Sequence, residues 1–437
     1  MKHHTILITD LTAEGKGVGR LEDGRVAFIQ GAIPGDRVDV KIASSHSHNP
    51  SEITFVRLTQ PSPKRIEHPC PHNPLGCPAS PLGVWDYQAA LAWKRDHLAQ
   101  VLKRIGGLPN PPIDSIIPSP QKWAYRNRIE LTLQCQESAW RMGYLSAGIL
   151  NPVKRCLLAA EPIQQAMAAL NASLPKAIYS LHISNSMDIR LLLLDDGANR
   201  CVGILFITNQ AAKLADWVNW LTQSPLKGWE IRTTPSIMTR FQKAETLASN
   251  GEVLIEHKIN GIHLQSSAGA FSQANESAAA SLRQIVGERL AAGSRIADFY
   301  GGWGAFAIHH ALKGGSGWVL EYSSEAIETG RRAAAGANLP VTYRRVDLSK
   351  RSSLHSFNPK LDAVILDPPR KGLSDSVIQW LNAVGPRLVV YVSCHPAALA
   401  RDIHRLEVYQ PVSFIPVDMF PQTPDIETVA TLERMMG

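Results

Sequence analysis

Along this chain, short apolar runs cut by turn-forming residues alternate with stretches whose apolar positions recur every three or four residues. Over residues 1–60 the apolar runs Ile6–Ile8, Val26–Ile29 and Val38–Ile42 are punctuated by Gly15-Lys16-Gly17-Val18-Gly19, Glu22-Asp23-Gly24 and Pro34-Gly35-Asp36. Strands this short with turns this frequent predict a small β-barrel. The Pro-rich stretch Gln60–Arg65 marks its end. Next, Tyr87, Leu91, Leu98, Leu102 and Ile105 share one helical face, and Gly106-Gly107 stops it, which predicts a helix over about 85–105. From about 122 to 256 the pattern is mixed, with strands at Ile189–Leu194 and Cys201–Ile207, so residues 61–261 are expected to form an α+β middle domain. From about Ile262 to residue 437, strand and helix signals alternate regularly, which predicts a parallel sheet with helices on its faces.

Within that last portion, Ala363–Leu366 and Leu388–Val392 have the length and β-branched content of buried parallel strands, and Ser376–Val384 between them has helical spacing. Each of these strands ends on a residue capable of chemistry, Asp367 before Pro368-Pro369 and Cys394. Open parallel sheets bind ligands outside the carboxyl ends of their strands, so both groups are expected at one rim. Upstream, a strand carrying Asp298 runs through Tyr300 into the Gly302-Trp303-Gly304 turn and a helix. Glu321 follows the strand-like Trp318–Leu320, and Asp347 follows Val341–Val346. Acidic residues at successive strand ends hydrogen-bond ribose hydroxyls, and the turn lacks the third glycine of a pyrophosphate site. The series Asp298, Glu321, Asp347, Asp367 therefore fits S-adenosylmethionine better than a dinucleotide. The fold class expected is an α/β Rossmann-like S-adenosylmethionine-dependent methyltransferase domain over 262–437, behind a small OB-like β-barrel and the α+β middle domain.

Composition narrows the setting. Hydrophobic residues at 44% and charged residues at 19% belong to an ordinary globular protein, and the net charge of +7 admits an anionic partner. No apolar run reaches the length of a membrane span, and the start lacks a signal-peptide core. Six scattered cysteines do not make a secreted disulfide framework, so a cytoplasmic monomer without membrane contact is expected. The charge is unevenly spread: residues 1–60 carry seven Lys/Arg against seven Asp/Glu, whereas 61–130 carry nine against five. Lys64, Arg65, Arg126 and Arg128 lie there with Trp123 and Tyr125, and Arg126 and Arg128 are expected to grip RNA. The competing reading makes the two aromatics core residues.

The chemistry follows from the residue types. Methylating a pyrimidine carbon that is not itself nucleophilic needs covalent activation: a thiolate adds at carbon 6, carbon 5 takes the methyl, and a base removes its proton. Cys394, Glu427 and Asp367 supply a nucleophile, a base and a group for the uracil edge. The runner-up, transfer to an exocyclic amine, needs no cysteine and follows the Pro-Pro pair with an aromatic, where Arg370 stands.

The stretches DFYGGWG, DPPRKG, YVSCHPAALARD and DMFPQTPDIE, with Phe271-Ser272-Gln273-Ala274-Asn275, resemble the motifs of the RNA 5-methyluridine methyltransferase family, whose ribosomal-RNA branch carries an N-terminal TRAM barrel. The resemblance implies Cys394 as nucleophile, Glu427 as proton acceptor and Phe271 as a ring stacked on the flipped uracil. It implies Gln273, Tyr300, Gly302, Gly304, Glu321, Asp347 and Asp367 as cofactor or base contacts, and structured RNA, large-subunit ribosomal RNA above all, as partner. Transfer RNA, or a non-catalytic assembly factor on a degenerate methyltransferase fold, are the alternatives. Asp425 departs from the family, which usually has His there. The family also holds a [4Fe–4S] cluster on four cysteines. Cys70, Cys77 and Cys156 match that pattern, and Ser80 stands in place of the third ligand, which leaves three outcomes: an unusual ligand such as His72 or Ser80, a three-iron cluster, or no cluster. Cys135 and Cys201 are expected to be buried.

Overall fold

The structure is a computed structural model, and it describes residues 3–42, 53–73, 77–136, 139–146, 148–177, 189–208, 214–236, 244–270 and 272–435. Strands β1 (His3–Leu11), β2 (Gly17–Arg20), β3 (Val26–Ile29), β4 (Arg37–Ile42) and β5 (Ile53–Gln60) form one antiparallel sheet in the order β3-β2-β1-β4-β5. It curls around a core of its own that includes Ile6, Ile8, Ile29, Val38 and Val40. A second sheet, ordered β12-β11-β10-β9-β6-β7-β8, contains β6 (Arg128–Gln136), β7 (Ala139–Ser146), β8 (Ile149–Pro152), β9 (Ile189–Asp195), β10 (Cys201–Thr208), β11 (Gly228–Thr234) and β12 (Glu245–Asn250). Helices Glu161–Ala177 and Leu214–Thr222 belong to this part. Strands β13 (Leu254–Ile259) and β14 (Ile262–Ser267) pair as a hairpin, so a boundary at residue 261 falls inside its turn.

The third sheet positions the chemistry. Its order is β17-β16-β15-β18-β19-β21-β20, built from β15 (Arg295–Phe299), β16 (Ser316–Glu321), β17 (Val341–Arg345), β18 (Ala363–Leu366), β19 (Leu388–Ser393), β20 (Tyr409–Val417) and β21 (Glu427–Arg434). The first five are parallel, and β21 runs antiparallel between β19 and β20. Alternate residues point to opposite faces of a strand. Phe299, Val364, Leu366, Val389 and Tyr391 accordingly enter one core, while Ile296, Ala363, Ile365, Val390 and Val392 enter the other. Burial on both faces is why these strands read as continuous apolar runs.

The helix expected over 85–105 is Tyr87–Arg104, capped by Asp86, whose carboxylate accepts from Ala89 N at 3.0 Å. It comes from the segment before the second sheet yet packs on the third: Leu98 and Leu102 join the core of Phe299 and Tyr391, and the helix lies against helix Pro396–Arg405. From its buried face, Lys94 reaches the loop 418–426. The ammonium donates to Asp418 Oδ1 (2.5 Å) and to the carbonyls of Asp425 (2.8 Å) and Phe420 (3.2 Å), and Tyr87 donates to Asp418 Oδ2 (2.8 Å). Lys94 is 2% exposed and Asp418 fully buried. Burial pulls the ammonium below its ordinary pKa, and the Asp418 carboxylate opposes that pull.

Two cysteine expectations part ways. Cys201 is buried in β10, whereas Cys135 is exposed: it shares the face of core residues Leu131 and Leu133 and pairs with buried Trp140, but it stands next to the last residue of β6, where the core gives out. Among the described residues no helix is long and apolar enough to cross a membrane.

Removing one partner of a buried ion pair strands the other charge, at a cost of about 3–5 kcal/mol. Lys94→Met should therefore lower the chemical-denaturation stability of the catalytic part by about that amount, and adding Asp418→Asn should recover much of the loss. A loss below about 1 kcal/mol, the range of a surface pair, would show that the pair does not hold the loop.

Candidate active site

The register of the third sheet assembles the rim. Leu366 pairs with Tyr391, so Asp367, the next residue, stands at the level of the last residues of β19. Because β21 is antiparallel, its first residue faces the end of β19: Ser393 pairs with Thr428, which sets Glu427 beside Cys394. Three strand ends thus deliver a carboxylate, a thiol and a second carboxylate to one place. The thiol is held at a strand-to-helix joint, where His395 caps helix Pro396–Arg405 by accepting from Ala398 N at 3.2 Å.

The electrostatics of this group are strongly biased. Glu427 is 2% exposed, and its Oε1 has no hydrogen-bond partner among the described residues. Burial, then the carboxylates of Asp367 and Asp425, push its pKa well above the usual range, with Arg370 opposing. Burial pushes Asp367 up to about 7. The Cys394 thiol is pushed up to about 12, by burial first and then by Glu427 and Asp367, with Arg370 pulling it down. Arg370 is the cation that acts on both Cys394 and Glu427, and its guanidinium donates to Asp425 Oδ1 at 2.7 Å. Asp425, which departs from the family pattern, is therefore the anchor of that cation.

The other end of the rim is a cradle. Tyr300 adopts φ 60° and Gly302 and Gly304 adopt φ 56° and 88°, left-handed conformations that turn the chain sharply from β15 into helix Ala305–Ala311. At Gly304 a side chain would collide with the Tyr343 hydroxyl, 2.6 Å from the position of a Cβ, whereas beside Gly302 the space is open. Glu321 accepts from Gly302 N at 3.1 Å and from the amides of Tyr322 and Ser323 at 2.7 Å. Asp298 is fully buried, accepts from Ala307 N at 3.3 Å, and keeps Oδ1 without a partner among the described residues. Asp347 is turned toward its own loop, accepting from Ser349 Oγ at 2.6 Å, and this bond lowers its pKa. The Tyr300 hydroxyl meets Ser374 near the start of helix Asp375–Val384.

Phe271 lies outside the described residues. Its neighbours are clasped from the second sheet: Asn127 N donates to Ala274 O (2.8 Å), Asn127 Nδ2 to Gln273 O (3.1 Å), and Arg128 to the carbonyls of Ala270 and Ser272 (3.4 and 3.3 Å). Burial brings Arg128 down to about 10. Arg126 lies over the rings of Tyr125 and Phe420, 5.9 and 5.7 Å from their centres. Both arginines are engaged inside the protein, and a grip on RNA would require them to leave these partners. Arg65 is likewise engaged, in an ion pair with buried Asp36 at 2.6 Å. Asn275, noted in the sequence only as part of a motif, is fully buried. It caps helix Glu276–Arg289 and donates to Met419 O and Ser119 Oγ, both at 3.0 Å.

Cys70, His72, Cys77, Ser80 and Cys156 do line one small cavity, with Trp123, Tyr144 and Leu158. They do not fit an iron–sulfur cluster. A serine stands where a fourth thiolate would be needed, its hydroxyl within 3.2 Å of His68 Nε2, and the Cys70 sulfur lies 3.7 Å from His72 Nδ1. Among the described residues no three cysteine, histidine or acidic side chains are grouped as metal ligands.

With this geometry in view, likeness to known proteins can be placed. Residues 2–49 match the TRAM domain family, and residues 342–435 match the family tRNA (Uracil-5-)-methyltransferase. An RNA methyltransferase of unassigned specificity from Gloeobacter violaceus is 28% identical, with 98% of this chain and 96% of that protein covered. The 23S rRNA (uracil(1939)-C(5))-methyltransferase of Shewanella denitrificans is 27% identical over 98% of this chain and 95% of its own. The crystal structure of Pyrococcus abyssi tRNA (uracil-54, C5)-methyltransferase, in complex with S-adenosyl-L-homocysteine, shares the fold with a TM-score of 0.76 at 22% identity, covering 98% of this chain and 99% of that one.

Two outcomes follow from the site. A thiol pushed up to about 12 is protonated at neutral pH. Alkylation of Cys394 in RNA-free protein, followed on its peptide by mass spectrometry, should therefore rise steadily between pH 7 and about 10. Arg370→Ala should slow it and Asp367→Asn should speed it, and a plateau below pH 8 would overturn the electrostatic account. Protein purified without oxygen should carry no stoichiometric iron or sulfide; a brown, iron-loaded preparation would show that the thiols rearrange around a cluster.

Proposed function

We propose, for a chain that belongs to the RNA uracil-5-methyltransferase family, that it methylates carbon 5 of a uridine in structured RNA through a covalent Cys394–uracil adduct, with S-adenosylmethionine as methyl donor and large-subunit ribosomal RNA as substrate. The observation that carries this reading is the meeting of Cys394, Asp367 and Glu427 at three neighbouring strand ends. The residues present fit the donor: the Gly302–Gly304 turn, Glu321, Tyr300 and the unpartnered Asp298 oxygen offer a backbone cradle and acceptors for a ribose and an ammonium group. Gln273, Asp347 and Asp367 complete the proposed contacts. When bound, S-adenosylmethionine supplies an electrophilic methyl group on a sulfonium.

The protein's part is proton and charge management. The Cys394 thiol releases its proton to solvent, Arg370 stabilising the thiolate, and Sγ forms a bond to carbon 6 of the uracil. The electron pair of the 5,6 double bond becomes available at carbon 5, which would take the methyl carbon as its bond to the sulfonium breaks, the pair of that bond remaining on sulfur. Glu427 then takes the proton from carbon 5, the pair left behind restores the double bond, and the thiolate leaves. A carboxylate surrounded by other carboxylates holds a proton more tightly than a free one, so the environment that raises the Glu427 pKa also makes it a stronger base. Asp367, poised near neutrality, can meet the uracil edge as either donor or acceptor. Ribosomal RNA is favoured by the TRAM barrel together with the relative named for 23S rRNA.

Glu427→Gln should add and methylate but stall, accumulating a protein–RNA species that survives denaturing gels; Cys394→Ala should abolish that species. Normal turnover in the Glu427 variant would remove it from the base role. Glu321→Ala should weaken S-adenosylmethionine binding by roughly 1.5–3 kcal/mol in calorimetry, the worth of charge-assisted hydrogen bonds. Unchanged affinity would move the donor elsewhere. Mapping 5-methyluridine by mass spectrometry after incubation with unmodified ribosomal and transfer RNA tests the substrate, and methylation of transfer RNA alone would reverse that part.

A further inference from the structure

At the opposite end of helix Ala305–Ala311 from the Gly302–Gly304 turn lies an open cleft of about 270 Å³ that the methyl-transfer site does not use. Its walls are the β13–β14 turn (Lys258, Asn260), helix Glu276–Arg289 (Arg283, Glu288), and His309 with Lys313. His309 is 6% exposed, and its Nε2 has no hydrogen-bond partner among the described residues. Its neighbour His310 shows the contrast, with Nε2 bonded to Ser294 O at 2.8 Å. Gly287 keeps the wall low: the position a Cβ would occupy there is 2.8 Å from His309 Nε2 and 3.5 Å from Lys313 Nζ, so any side chain at 287 would crowd both nitrogens. The charged and titratable groups facing the ring are Lys313, Arg283, His310, Lys258 and Glu288. Arg283 is partly spent on Glu276 at 2.5 Å, while Lys258 and Lys313 have no ion-pair partner among the described residues. Burial, then Lys313, Arg283 and His310, lower the His309 pKa to about 4. Two exposed ammonium groups thus stand at the mouth of a cleft whose wall carries a buried, unpaired imidazole, a charge pattern that favours an anion.

We propose that this cleft binds a phosphate group, with Lys258 and Lys313 supplying charge and His309 Nε2 the buried hydrogen bond. The assignment of that phosphate to the RNA backbone rests on the methyltransferase reading; phosphate binding itself does not. Helix Ala305–Ala311 has seven residues and spans about 10 Å, and it runs from the Gly302–Gly304 turn back to the edge of the sheet where β15 begins, so RNA would have to extend around that edge to reach the cleft.

The test has two arms on the full chain. In the first, inorganic phosphate is titrated while the His309 imidazole is followed by NMR. A phosphate beside the ring should raise its pKa by about one unit or more, Lys258→Ala/Lys313→Ala should weaken binding at least tenfold, and Glu288→Gln should tighten it. No phosphate-dependent change at His309, or a change untouched by the double variant, overturns the site. In the second arm, RNA binding is measured against salt. The double variant should raise KM for RNA with kcat intact and flatten the salt slope by about one for each RNA phosphate that the lysines no longer neutralise. A phosphate response at His309 with RNA affinity and slope unchanged would overturn the RNA source and leave free phosphate as the ligand. Failure of the wild-type protein to methylate any RNA would sink the functional reading while leaving the first arm to judge the cleft.

Discussion

The buried ammonium of Lys94 is the contact on which the geometry of the rim depends. Three of its hydrogen bonds end on the loop 418–426, two of them on backbone carbonyls, so it fixes the path of the chain as well as neutralising Asp418. The same loop is held from every other part of the molecule. Tyr125 of the middle part donates to Pro421 O at 3.0 Å, Leu82 N from the cysteine region donates to Gln422 O at 3.0 Å, and Asn275 holds Met419 O. Pro424 packs close to Gly15 of the first sheet. A loop clamped at both ends and from four directions leaves its last residues, Asp425 and Glu427, little freedom. Positioning of a base to a few tenths of an ångström requires support of that kind.

Much of this was readable from residue order. The apolar runs at 363–366 and 388–392 are the two central strands, and the helix between them begins one residue before the expected Ser376. The helix near 85–105 and the strands at 189–194 and 201–207 also appear within two residues of their expected bounds. Such elements are legible because burial on one or two faces leaves a period in the sequence. What does not leave a period is a partner far away in the chain. Lys94 reads as a polar position in an amphipathic helix, and only the fold reveals Asp418 across from it. Arg126 and Arg128 look the same in sequence whether they face phosphate or a carbonyl of residue 270. Cys135 shows the converse failure: a thiol on the core-facing side of an apolar-looking strand is exposed because the strand runs past the edge of the core there, which the local pattern does not reveal.

The rim concentrates negative charge to an unusual degree. Burial pushes Asp298, Asp367 and Glu427 upward; Asp367 adds to the push on the other two, and Asp425 to that on Glu427. That crowding raises the proton affinity of the Cys394 thiol and of the Glu427 carboxylate together, which suits the reaction proposed above, where the thiolate must also leave and the carboxylate must pull a proton from carbon. Arg370 tempers the field at Cys394 and is itself steered by Asp425, so a substitution at 425 reaches the thiol through the arginine.

The place of β21 has a consequence for how the molecule comes together. Of the strands in its sheet it is the last in the chain, yet it occupies an interior position, inserted between β19 and β20. Until it enters, both neighbours present unpaired backbone along a full strand length, the kind of edge that recruits other chains. Entry of that strand seals both edges and sets Glu427 beside Cys394 in a single step. Completion of the sheet and assembly of the proposed catalytic pair are therefore one folding event, and a molecule that has not finished folding does not yet bring the thiol and the carboxylate together.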